Sequence, residues 1–220
     1  SMNILIKLMS IVALVIGPHI SVKQSHGHEA ASLHEAATAV LSASNEAGKD
    51  ITELNGNYNL DAAHSFVQFS IRHILSDAKG NFNNLRGNAT FDKENGSMNL
   101  LLEINAASIN TSNEKRDEHL RSPDFFDVAN YPKIIYKATA YEKTNEGYIA
   151  KGNLTIKDKT LPVDLPFIYI GTQEIPDMGK VSAFSGKLTI KRSDFGIGDP
   201  SPAIGDEVKI TFTAELNPAQ

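Results

Sequence analysis

In Val67-Gln68-Phe69-Ser70-Ile71-Arg72-His73, apolar and polar residues take turns over the first six positions. A strand points successive side chains to opposite faces, so a period of two means one dry face and one wet face. The same period returns where Leu100, Leu102 and Ile104 alternate with Asn99, Glu103 and Asn105, with Leu101 as the exception. Tyr148, Ala150, Leu154 and Ile156 alternate with Lys151, Asn153 and Lys157. Phe184, Leu188 and Ile190 follow, then Val208, Ile210 and Phe212. Turn signals separate the runs: Asn95-Gly96, Asn145-Glu146-Gly147, Lys157-Asp158-Lys159, Asp177-Met178-Gly179 and Gly198-Asp199-Pro200. Short turns between successive strands make antiparallel neighbours. About eight strands therefore occupy 56–217, an all-β body. A two-sheet sandwich and a closed barrel both bury such dry faces, and alternation does not separate them.

The meander is interrupted at Thr111-Ser112-Asn113-Glu114-Lys115-Arg116-Asp117-Glu118-His119-Leu120. Ser112 or Asn113 can cap a helix with Glu114 in its first turn, and Pro123 stops it, which predicts one short helix between strands.

Lys7 precedes the apolar run Leu8–Ile16, which breaks at Gly17-Pro18. About nine apolar residues suit a secretory signal better than a membrane span of roughly 20, so residues 1–18 read as a signal peptide, with a retained anchor as the rival. An exported protein, working outside the cytoplasm, is the expectation. Residues 19–55 read as an Ala/Ser/His-rich tether, with Leu33, Ala36, Ala37, Val40 and Leu41 marking a short helix over Glu29–Ser44. The chain has no cysteine, which excludes disulfides, a thiol nucleophile and Cys-ligated zinc, and a net charge of −5 argues against a nucleic-acid partner.

Among polar clusters, His119 with Asp117 or Asp124 is the candidate acid–base pair. No nucleophile on a strained Gly-flanked turn accompanies it. The preferred reading is a structural plug, with Arg116, Asp117, His119 and Arg121 sealing one end of the sheet and a headgroup role as the alternative. His26, His28 and His34 with Glu29 and Glu35 form a His-rich tract able to take zinc or copper, but no H-E-x-x-H occurs and no dedicated metal site is expected. His73 shares the inward parity of Val67, Phe69 and Ile71, and reads as a hydrogen-bonded core residue. Phe195–Asp206 lacks the Gly-Lys-Ser/Thr of a phosphate loop and reads as a long loop at a barrel mouth. The apolar inward set either fills the body or walls a cavity, since eight strands allow both.

Several stretches resemble the YceI-like family. They are Asp61–His73; Gly80-Asn81-Phe82 followed by Gly87–Phe91; and Ser108–Thr111 running into Arg116–Ser122, Asp124-Phe125-Phe126 and Tyr131-Pro132. Gly152–Ile156 with Pro162-Val163, then Arg192–Gly198 with Ile204–Val208, complete a resemblance over about residues 58–216. It implies an extended, eight-stranded, antiparallel lipocalin-like barrel over 56–217, hollow and binding a long polyisoprenoid or isoprenoid quinone. The family has no agreed catalytic residues, so no enzyme activity is expected, and no cofactor besides the bound lipid.

The ligand-lining set is then Phe69, Ile71, His73, Phe82, Phe91, Leu100, Leu102, Ile104, Tyr136, Leu154, Ile156, Phe167, Phe184, Leu188 and Phe212. Each buried methylene contributes ~0.8 kcal/mol, so roughly four enclosed isoprene units give on the order of 16 kcal/mol gross. Headgroup specificity should then be weak. A homodimer and a transient membrane contact stay open as further partners. The rival functions are an enzyme acting on a bound lipid through His119 and Asp117, and a metal-responsive interaction protein working through His26, His28 and His34.

Overall fold

The computed structural model describes residues 49–176 and 179–219. Residues 1–18 and the tract with His26, His28 and His34 lie outside the described residues.

Eight antiparallel arms close into a barrel, as the resemblance implied; three of them are broken in two, which gives eleven strands. The first arm is β1 (Gly56–Leu60) and β2 (Phe66–His73), the second β3 (Ser76–Phe82) and β4 (Leu85–Asp92), the third β5 (Ser97–Asn105) and β6 (Ile109–Asn110). The unbroken arms are β7 (Lys133–Thr144), β8 (Gly147–Ile156), β9 (Lys159–Ile175), β10 (Gly179–Lys191) and β11 (Ile204–Pro218). β11 pairs with β10 along one edge; along the other it pairs with β2 up to Thr213 and with β1 from Leu216. The β1–β11 pairing closes the ring β1-β4-β5-β7-β8-β9-β10-β11.

The breaks fall where short polar side chains satisfy backbone groups that the ladder no longer serves. Asp61 Oδ1 accepts the Ala63 amide at 2.9 Å, and Ser65 Oγ accepts the Glu215 amide at 3.0 Å. Asn105 Oδ1 accepts the Ala107 amide at 3.0 Å and opens a one-turn 3-10 helix, Ala106–Ser108. Register shifts bend the long strands, one of them between Ile204 and Val208 where β11 meets β2. The β7–β8 register skips Thr139, and the β9–β10 register skips Ile170 beside Gly171, whose φ of 142° suits glycine. Such bulges supply the coiling that closure requires.

In the upper tier, made of β2, β3 and β6, no strand among the described residues pairs with β6 on its far side. The helix α1 (Glu114–Arg121) follows β6 directly. Asn113 caps it, its Oδ1 accepting the Arg116 amide at 3.1 Å. Arg121 donates from Nε to Ala107 O at 3.0 Å and from a terminal nitrogen to Ile109 O at 3.2 Å, so the guanidinium serves carbonyls along this unpaired edge.

The other end is covered by a segment read from sequence as tether. Ile51 and Leu54 are 1% and 3% exposed and belong to the core, so the packed body extends N-terminal of Gly56. The Ile51 amide donates to Tyr148 Oη at 3.0 Å, Tyr148 Oη donates to Asp50 at 3.1 Å, and Lys143 Nζ reaches Asp50 Oδ2 at 2.8 Å. Two apolar residues in a polar stretch carry no periodicity, which is why this cover is invisible in the sequence.

Candidate functional site: an apolar cavity with an aromatic floor

A cavity of about 450 Å³ lies inside the barrel. Alternate residues of every arm point into it. Phe69, Ile71, His73, Phe82, Phe91, Leu100, Leu102, Ile104, Tyr136, Leu154, Ile156, Phe167, Phe184, Leu188 and Phe212 all line it. Leu101, the exception to alternation, does not. Its floor is aromatic. Phe91 stacks on Phe184 at 6.2 Å, Phe184 tilts against Phe167 at 6.2 Å, and behind these Tyr58, Tyr148 and Tyr169 pack without reaching the cavity. At the α1 end His73, Arg116 and His119 line it while being exposed, which marks a mouth. The lining runs from the aromatic floor to the mouth.

The wall is almost wholly apolar; its polar members are Ser65, His73, Thr111, Arg116, His119, Arg192 and Thr213. Tyr136 presents its ring, because its hydroxyl lies 3.0 Å from the carbonyls of both Ala150 and Val163. Burial pushes that phenol far above its ordinary value. Gly152 makes room for the ring: a Cβ there would sit 2.7 Å from Tyr136 Cζ.

Arg192 is 5% exposed and serves only backbone oxygens. It donates from Nε to Gly205 O at 2.9 Å and from one terminal nitrogen to Ile197 O at 2.8 Å, Gly198 O at 3.1 Å and Asp199 O at 3.1 Å. A fork of fixed donors holds the loop over 193–203 in one shape.

Helix α1 is tied to the segment that precedes it. Asp117 is 4% exposed, and its Oδ1 accepts both the amide of Thr111, at 2.9 Å, and its hydroxyl. Arg116 donates to Thr111 Oγ1 at 2.8 Å and Thr111 O at 2.9 Å. Asp117 is therefore committed to Thr111, and the His119–Asp117 acid–base pair is not assembled. His119 instead lies 3.2 Å from Asp124, with both side chains more than half exposed, and its ring meets Phe125 edge-on at 4.9 Å. Arg121 does not reach the cavity.

His73 departs from the core reading: it is exposed at the mouth, because β2 ends there and its side chain has no facing layer. His64 pairs outside the cavity with Asp61 at 2.9 Å, and this carboxylate raises the imidazole's pKa. Glu215 completes a group with these two whose ligand atoms lie within 4.8 Å of one another.

Residues 58–216 match the YceI-like domain. The chain belongs to that family. A UPF0312 protein of Pseudomonas aeruginosa is 35% identical over 164 residues, spanning 72% of this chain and 85% of the relative. Among solved structures, a YCEI protein of Campylobacter jejuni is 33% identical with a TM-score of 0.61, covering 74% of this chain and 98% of that one. A polyisoprenoid binding domain from Saccharophagus degradans, at 16% identity and TM-score 0.57, shares the fold over 74% of this chain and 98% of its own.

In this YceI-like chain the motifs that carried the resemblance are spread over the ring strands β4, β8 and β9 as well as the upper tier. Arg116–Ser122 falls on helix α1 and its C-cap, and Arg192–Gly198 opens the loop whose Gly198 lies against Phe125. Sequence reasoning missed the lining role of Leu120, Phe125, Phe126 and Arg192. Parity rules cover strands, and these residues sit on the helix, on loops or at a strand end, where period two gives no direction.

Proposed function

We propose that this protein is a non-enzymatic carrier that binds, moves or sequesters a long-chain isoprenoid, a polyisoprenoid or an isoprenoid quinone, with its tail inside the barrel. The observation that carries the reading is the apolar, floor-to-mouth cavity of about 450 Å³. That volume falls within the roughly 300–1,000 Å³ of small-molecule sites. The polyisoprenoid binding named for the structural neighbour from Saccharophagus degradans points to the same ligand class. The wall offers a tail many carbon contacts and few hydrogen bonds, so affinity comes from methylene burial. Gross stabilisation on the order of 16 kcal/mol for roughly four isoprene units is cut by the cost of immobilising a flexible tail, which leaves ample affinity under the ceiling of about −18 to −21 kcal/mol.

The polar side chains at the mouth belong to the headgroup end. Arg116 and His119 sit where a headgroup would emerge, which allows contact without requiring it. The cargo is insoluble in water and the leader reads as an export signal, so we place the protein outside the cytoplasm.

Native mass spectrometry of the purified protein, with solvent extraction of what it carries, tests this. A co-purifying isoprenoid, or stoichiometric uptake of added polyprenol, is the expected result. A barrel that purifies empty and rejects polyprenol removes the reading.

A further inference from the structure

Ile74 and Leu75 form the tip of the β2–β3 hairpin, between the paired residues His73 and Ser76. They are 62% and 85% exposed, against 54% for Phe66, 53% for Ile170 and 38% for Ile168. Ile74 holds φ at 52°, a left-handed conformation that two-residue hairpins normally give to Asn or Gly and that is an outlier for a β-branched residue. The tip thus combines backbone strain with apolar exposure, where a polar turn would remove both. Strain persists where the surroundings hold it, and here the Ile74 amide donates to Ala203 O at 2.8 Å.

The position of the tip is as telling as its composition. His73 immediately precedes it, and Ile204 immediately follows the bracing residue Ala203; these two are paired across the sheet and both line the cavity. The apolar tip therefore stands at the mouth. Arg72 and Asp77 flank it 3.8 Å apart, and Asp206, Glu207 and Lys209 line the same outer pocket as these two, so the charges beside the tip carry no positive excess.

We propose that Ile74-Leu75 inserts into the surface of a lipid bilayer and holds the cavity mouth against it. The proposal rests on the carrier reading for its purpose, since a tail-binding cavity must meet a membrane to exchange cargo. A bilayer is the occupant because two aliphatic side chains on a turn are far short of the roughly 1,000 Å² that a specific protein interface needs. A membrane demands no complementary shape; apolar area placed at its boundary suffices for weak, reversible contact. With no positive excess beside the tip, contact should not depend on anionic lipid.

The chain contains no tryptophan, so Leu75→Trp introduces a unique reporter at the tip. On adding vesicles of phosphatidylcholine alone, its emission is expected to shift to the blue and to be quenched by lipids brominated on their acyl chains. Adding Ile74→Asp to this variant should weaken vesicle partitioning by about tenfold or more. Ile170→Trp, on the outer wall, should show neither response. Three results would overturn the proposal: no response at Leu75→Trp, an equal response at Ile170→Trp, or a blue shift that grows with protein concentration without vesicles, which would mean a second copy. The reporter needs no cargo, so a tip that inserts on a barrel refusing polyprenol upholds the docking and removes the carrier reading.

Discussion

Leu188 sits on β10 between the floor residue Phe184 and Ile190, on the side of the strand that faces the cavity. Its partner across the sheet is Ile210, another lining residue, so an arginine introduced there would meet carbon on every side. An unpaired charge in such surroundings costs several kcal/mol, and drawing in water to solvate it would fill the space a tail needs. Leu188→Arg is expected to fold, checked by its far-ultraviolet circular dichroism, and to lose polyprenol uptake measured by extraction. Undiminished uptake by the folded variant would show that the tail does not pass Leu188. Residue-scale reading was most dependable here. Parity along a strand fixes which side chains turn inward, so Phe69, Leu102, Leu188 and Phe212 were legible from alternation alone. It failed at His73 because parity gives direction without depth: the strand ends there, and an inward side chain at a rim meets solvent.

Among the elements, helix α1 was legible and the N-terminal cover was not. Asn113 and Pro123 bracket the helix with signals that act locally, a side-chain acceptor for a free amide and a ring that cannot continue the turn. Asp50–Leu54 is held by partners nearly a hundred residues away, Lys143 and Tyr148, and nothing local announces that. This cover makes a prediction in pH. Its first anchor is Asp50, whose carboxyl is held far below the ordinary 3.8 by the Lys143 ammonium, helped by the Thr52 amide. A depressed carboxyl pKa stabilises the folded state above the unfolded value, and that contribution fades as pH falls through the folded one. Thermal melts between about pH 5 and pH 2 should therefore show Asp50→Asn less sensitive to acid than the parent, with the two curves converging at the acid end. Parallel curves would mean that the Asp50–Lys143 pair does not couple the cover to the barrel.

For the molecule as a whole, eight strands enclose just enough room to be filled by side chains or to hold one ligand. Alternation is the same in both cases, so the hollow interior could be inferred only through family resemblance, and its shape needed coordinates. Phe91, Phe167 and Phe184 occupy one end, and the rest of the wall is made of aliphatic groups together with Tyr136, Phe69, Phe82, Phe212 and, at the α1 end, Phe125 and Phe126. Empty apolar volume forfeits contacts that a packed core would make. A delipidated barrel should therefore melt early and be restored by its ligand. Binding to the folded state alone adds RT ln(1 + [L]/Kd), about 2.7 kcal/mol at a hundredfold excess over Kd. For a body of this size each kcal/mol moves Tm by about 2–4 °C, so the shift should reach roughly 5–10 °C. The dependence on ligand chemistry is sharper than its size. If methylene burial dominates, polyprenols and isoprenoid quinones of equal tail length should raise Tm equally. The shift should grow with each added isoprene unit until the space between Phe184 and the mouth is full, then level off. A quinone or phosphate headgroup without a tail should do nothing. A shift that follows the headgroup and ignores the tail would relocate recognition to Arg116 and His119, and the cavity would no longer account for the affinity.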